Sequence, residues 1–191
     1  METRELLLRA GVAALTEKGF AATGIDDILG RVGVPKGSFY HYFDSKEVFG
    51  TALIERYGAY FSRKLALHFN NSALPPLGRL HAFIDDARAG MAKYGFQRGC
   101  LIGNLGQEMG ALPESYRAQL GGVFADWQEQ VAQCLSVAQA AGELSADADC
   151  VRLAAYFWIA WEGAVLRAKL ERSPAALDIF TEAFFAGLPR R

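Results

Sequence analysis

Residues 19–47 read GFAATGIDDILGRVGVPKGSFYHYFDSKE, and the punctuation of this stretch decides the fold. Gly19 stops a helix predicted over residues 3–18, whose inner face carries Leu7, Ala10, Ala14 and Leu15. Thr23-Gly-Ile-Asp26 has the form of a capping box and opens a short helix from residue 25 to about 31. Val32-Gly33-Val34 makes a tight turn in which Gly33 supplies left-handed backbone. Pro35 stands at the entry of a second short helix, residues 36–43, where a missing N–H costs little. Asp44-Ser-Lys-Glu47 is a second capping pattern, and the long helix that it begins reaches about Phe69.

Working outward, the chain reads as all-α. Apolar residues recur at three and four, and strand-like alternation is scarce. Asn70 to Pro76 is a loop, followed by a helix from about residue 77 to 94. A short, glycine-interrupted helix is predicted from about Cys100 to Met109. Long helices follow from about Pro113 to Ala141 and from Asp147 to Leu170, and a last one runs from Pro174 to about Gly187.

Two short helices joined by a glycine-containing turn, with a third helix in front, make a helix-turn-helix unit. Phe39 and Phe43 are four apart and are assigned to the core. Lys36, Gly37, Ser38, Tyr40, His41 and Tyr42 are left for the other faces. Gly37 lets backbone approach DNA closely, and Tyr40 and Tyr42 can donate O–H bonds to phosphates. Lys36 and His41 can reach base edges or phosphate. Thr23 and Lys46 sit at helix N-termini, where backbone N–H groups also meet phosphate.

The pattern of Gly19-Phe20, Thr23, Ile25, Ile28, Gly33 to Phe43 and Ser45-Lys46-Glu47 resembles the DNA-binding domain of the tetracycline-repressor (TetR) family. That resemblance implies an all-helical homodimer that binds double-stranded operator DNA. It also implies a three-helix domain over residues 1–46 and a larger ligand-binding and dimerisation domain over 47–191. The sequence departs from the family pattern at Gly24, which removes one hydroxyl, and at Asp26-Asp27, which puts two carboxylates early in the first short helix.

Composition sets bounds on the rest. The 191 residues are 51% hydrophobic, enough for a real core, and the formal net charge is −1. A globally basic nucleic-acid binder is excluded, though a local contact surface is not. Residues 1–46 carry six basic and six acidic side chains, so non-specific DNA binding is expected to be weak. No apolar run is long enough for a membrane span, and the N-terminal residues lack the order of a signal peptide. The expected compartment is the cytoplasm, with no membrane partner. Cys100, Cys134 and Cys150 form neither a metal-ligand spacing nor a disulfide framework. No metal and no cofactor are expected.

Residues 97–108, Gln-Arg-Gly-Cys-Leu-Ile-Gly-Asn-Leu-Gly-Gln-Glu, are glycine-rich and polar beside apolar residues. Cys100 is placed at a helix N-terminus with Arg98 two residues before it, and both features favour thiolate. Cys134 and Cys150 are expected to be small buried side chains. The 99–108 segment is similar to that of the repressors of N-ethylmaleimide reductase and of acrylate metabolism. This implies a small-molecule inducer, a reactive electrophile or an unsaturated acid or aldehyde, with Cys100 as sensor. A reversible, non-covalent inducer is the alternative.

Residues 153–166 are apolar around almost the full circumference, as in a helix buried on several sides at a dimer interface. Glu162 is the exception, and Lys169 lies seven residues on, close to the same face. Lys169 is either a solvated cation near a helix end or a support for the Cys100 thiolate. Asn104, Trp158, Glu162 and Lys169 join Cys100 as candidate ligand or sensor residues. A cysteine-dependent enzyme would need a paired base. His41 belongs to the DNA motif and no signature joins His68 or His81 to Cys100, so no catalytic residue is assigned.

Overall fold

In a computed structural model that describes residues 2–190, nine α-helices and one 3-10 turn account for the regular structure. They are α1 (Thr3–Lys18), α2 (Ile25–Val32), α3 (Lys36–Tyr42), α4 (Lys46–Phe69), α5 (Pro76–Ala92), α6 (Leu101–Gln107), α7 (Ser115–Ala140), α8 (Cys150–Glu171) and α9 (Ala175–Ala186), with the turn at Met109–Ala111. No strand occurs among the described residues. None of the helices is long and apolar enough to cross a membrane.

The helices gather into two compact units that do not follow chain order. The first is Met1–Ala59 with Arg98–Val123; the second is Tyr60–Gln97 with Phe124–Arg191. α4 and α7 each contribute a stretch to both.

In the first unit α1 buries Leu7, Ala10, Ala14 and Leu15, the inner face expected of it. Gly19 closes α1 at φ 84°, and Gly33 ends α2 at φ 67° in the left-handed region that glycine adopts without strain. Phe39, fully buried, packs edge-on to Phe49 at 5.1 Å and lies 5.5 Å from Phe43. This aromatic knot anchors a seven-residue helix too short to hold itself.

Both predicted capping boxes are displaced by one residue. α2 is capped at Gly24, whose N–H donates to the Asp27 carboxylate at 3.0 Å. Thr23 does not cap; its hydroxyl donates back to the Gly19 carbonyl at 2.7 Å. α4 is capped by Ser45, whose Oγ accepts from the Val48 N–H at 3.1 Å, rather than by Asp44.

In the second unit an aromatic cluster fills the space among α5, α7, α8 and α9. Trp127 and Trp158 lie 5.0 Å apart, Phe83 is 6.3 Å from Trp158, and Phe157 meets Phe180 and Phe184 edge-on. Arg88 joins α5 to α9 through Asp178 at 2.6 Å. Lys64 and His68 of α4 both reach Asp86 of α5, at 3.0 and 2.9 Å.

Candidate nucleic-acid interface and ligand site

The outer face of α3 forms because its inner face is tied down. With Phe39 and Phe43 buried, Lys36, Gly37, Tyr40 and His41 are exposed, while Ser38 and Tyr42 are half-buried. Tyr40 stands 49% exposed, a large aromatic whose ring meets Phe39 edge-on. His41 and Tyr42 rings meet edge-on at 4.7 Å. The space around Gly37 is open to 4 Å, so a close backbone approach meets no obstacle. Lys36 Nζ lies 3.1 Å from Asp26, an exposed pair that holds weakly and leaves the ammonium exchangeable to a phosphate. The two early carboxylates of α2 are thereby accounted for: Asp26 faces Lys36, and Asp27 caps its own helix.

Thr23 and Lys46 are placed differently from the other six. Thr23 is buried, its hydroxyl bonded to Gly19 and its amide to the Phe20 carbonyl at 3.2 Å. Lys46 is half-buried and donates to the Phe20 carbonyl at 2.7 Å, with its ammonium 4.2 Å above the Phe20 ring. Burial pushes the Lys46 ammonium below the usual lysine range, and the Glu108 charge partly offsets it. Both side chains thus have partners around the α1–α2 turn.

Cys100 is the N-cap of α6, and its Sγ accepts from the Gly103 N–H at 3.4 Å. This is the placement that the sequence predicts. Arg98 is engaged by Glu17 at 2.8 Å, and the same carboxylate takes Arg31 at 2.7 Å. The hydrogen bond from Arg31 holds the Glu17 carboxyl below the usual glutamate range, against burial and with help from Arg98. Asn104 serves the fold: its amide donates to the carbonyls of Leu15 and Thr16, at 2.9 and 3.2 Å. Sequence reasoning missed Glu108, which accepts from the Phe20 and Ala21 amides. Its spacing of four from Asn104 was the available signal.

In the second unit Trp158 is buried, and its indole N–H meets no acceptor among the described residues. A buried donor left so is costly, and such groups mark places that a bound oxygen can satisfy. Glu162, one turn on, has a buried carboxylate oxygen, and Lys169 is half-buried. Cys100 belongs to the first unit and Lys169 to the second. Cys134 and Cys150 are buried as expected, and burial pushes the Cys134 thiol up to about 12.

Two family profiles match the chain. "Bacterial regulatory proteins, tetR family" covers residues 7–52 and "Tetracyclin repressor-like, C-terminal domain" covers 76–184. The transcriptional regulator AcuR of Cereibacter sphaeroides is 57% identical over 93% of this chain and 81% of its own length. The repressor NemR of Escherichia coli K12 is 32% identical over 93% and 89%, and DhaR of Mycobacterium sp. GP1 is 31% identical over 97% and 91%. Among solved structures, the regulatory protein TetR from Rhodobacter sphaeroides superposes with TM-score 0.95 at 55% identity, covering 96% of this chain and 97% of that one. The reduced form of E. coli NemR does so with TM-score 0.87 at 28% identity, over 99% and 98%. An exposed α3 face on an anchored helix-turn-helix, matched by regulators along nearly the whole chain, leads to one conclusion: this chain belongs to the TetR family and is a DNA-binding transcriptional repressor of that type, not an enzyme.

Proposed function

We propose that the protein is a cytoplasmic homodimeric repressor that holds a palindromic operator until a small-molecule inducer releases it. Residues 1–46 read DNA, and 47–191 take up the inducer and the second subunit. The carrying observation is the outer face of α3, where Lys36, Gly37, Tyr40 and His41 stand exposed beside Ser38 and Tyr42. Thr23 and Lys46 contribute by bracing the α1–α2 turn, Thr23 at the Gly19 carbonyl and Lys46 at the Phe20 carbonyl. Two such faces must meet successive major grooves, about 34 Å apart. Selection of bound duplexes from a random pool tests this reading: the expected product is a palindrome with half-sites one helical turn apart, and recovery of no enriched sequence overturns it.

The dimer surface is a stripe on α8. Tyr156, Ile159, Leu166 and Leu170 are exposed at heptad-like spacing, with Gly163 open between them, and Ile179 of α9 is exposed as well. A row this apolar is of the kind that another helix pair covers.

For the signal, the reading is covalent sensing at Cys100. Its position as N-cap of α6 supports the thiolate, and alkylation would break the bond from Gly103. Release needs the inducer to prefer the unbound form by a few kcal/mol. Cys100→Ser should still bind operator and ignore electrophiles, whereas Cys134→Ser and Cys150→Ser should respond as the parent does. Normal induction of Cys100→Ser would sink the covalent reading. The second reading, a reversible inducer, is favoured by the Trp158 indole, which can donate to a carbonyl or carboxyl oxygen while Glu162 sits one turn on.

A further inference from the structure

Glu108 follows α6, 88 residues along the chain from Phe20, yet its carboxylate closes on the turn between α1 and α2. Oε1 accepts the Phe20 N–H at 3.0 Å and Oε2 the Ala21 N–H at 2.7 Å. These amides follow the C-cap of α1, and the Thr16 carbonyl behind them is already taken by Asn104 and the Gly99 amide, so the carboxylate supplies their acceptor. Gly19 makes the approach possible: a Cβ there would lie 1.9 Å from Oε1, and its φ of 84° already suits glycine. One turn earlier on α6, Asn104 takes the Leu15 and Thr16 carbonyls, and the Gly99 amide also reaches Thr16, at 3.0 Å. One face of α6 therefore grips the last carbonyls of α1 and the first amides beyond it. Phe20 is held on its remaining sides by Lys46 at its carbonyl and by the Tyr116 ring, edge-on at 5.6 Å.

From the other end, α2 starts at Ile25, and between Ala21 and its Gly24 cap stand only two residues, one of them Thr23, bonded to Gly19. The direction in which α2 leaves α1, and with it the seat of α3, is set at this turn. We propose that Glu108, outside the helix-turn-helix segment, is a positioning residue for operator binding that fixes the pitch of α2 and α3 through the Phe20 and Ala21 amides. This rests on the reading of α3 as the DNA-contacting helix. Carboxylate bonds to N–H groups are charge-assisted, roughly twice as strong as neutral ones, and the two here act on adjacent amides.

The electrostatic expectation has the opposite sign, which makes the test sharp. Removing an acidic side chain from a DNA-binding protein tightens binding by charge alone. The full-length protein, with Glu108→Gln and Glu108→Asp, is titrated against a duplex selected by the parent, at several salt concentrations. Glu108→Asp keeps the charge and withdraws the carboxylate by one methylene. Both variants should bind about tenfold more weakly, with the salt slope unchanged because no phosphate contact is lost. Amide hydrogen exchange at residues 20–21 should quicken at least tenfold while α8 keeps its protection, which shows the rest of the chain folded. Unchanged or tighter operator binding by either variant overturns the proposal, as does exchange at 20–21 that stays at the parent rate. A parent that enriches no duplex overturns both this proposal and the DNA-binding reading, whereas a parent that binds beside a variant that binds equally well removes the proposal alone.

Discussion

At the scale of single residues, Tyr40 carries the clearest consequence. Its ring keeps an edge-on contact with Phe39 while the residue stands exposed. Tyr40→Phe should leave the fold intact and weaken operator binding by about 0.5–1.5 kcal/mol, one neutral hydrogen bond. Equal affinity of variant and parent across salt concentrations, measured by fluorescence anisotropy, would remove Tyr40 from the contact. Gly50 has a steric role of a different kind. A Cβ there would lie 1.9 Å from the Tyr116 hydroxyl and 2.8 Å from Phe20, and that hydroxyl donates to the Glu47 carbonyl at 2.7 Å. Gly50→Ala should cost about 1–3 kcal/mol by overpacking, read from denaturant midpoints. The cysteines divide by burial. Cys134, with its thiol pushed up to about 12, holds almost no thiolate at neutral pH, so limited iodoacetamide should label Cys100 well before Cys134. Mass spectrometry of the peptides reads the order.

At the scale of elements, most of the helix-turn-helix was legible because its signals are local. Gly19, Gly33 and Pro35 punctuate within a few residues of the groups that they serve, and Phe39 and Phe43 share one helical turn. The α2 cap falls one residue later than the sequence pattern suggests because Thr23 has a competing partner, the Gly19 carbonyl four residues back, which Gly24 cannot use. The role of Asn104 was not legible. Its partners, Leu15 and Thr16, lie 88 or 89 residues away, and nothing in a glycine-rich segment tells a ligand-facing amide from one that closes another helix. Glu17 makes the comparable long-range link between α1, α2 and the approach to α6. Its folded carboxyl titrates below the ordinary value of 4.5, so the link contributes fully above that pH and is lost as pH falls through the lowered value. Glu17→Gln should therefore lower the melting temperature most at neutral pH, with the gap to the parent closing below about pH 4.5. Each partly exposed pair is worth about 0.2–1 kcal/mol. A gap that is constant from pH 3 to pH 7 would show that the charge of Glu17 contributes nothing.

At the scale of the whole molecule, the dimer surface proposed on α8 makes folding and assembly separable by experiment. Gly163 has nothing within 4 Å of where its Cβ would stand, so Gly163→Arg starts from open space inside the subunit and gains helix propensity of about 1 kcal/mol. The variant should melt no lower as a chain yet sediment as a monomer that fails to hold a palindromic duplex. An intact dimer would take this face of α8 out of the interface. The first compact unit has a consequence of another sort, because it is assembled from two separated stretches, Met1–Ala59 and Arg98–Val123. Glu108 and Asn104 travel in the second stretch, and the turn that they grip travels in the first. A single genetic crossover between two diverged relatives, falling anywhere between those stretches, would inherit a reading head from one parent and its grip from the other. Under the proposed role of Glu108, such a recombinant should hold its operator only where the first stretch brings the glycine and the second the carboxylate that it admits.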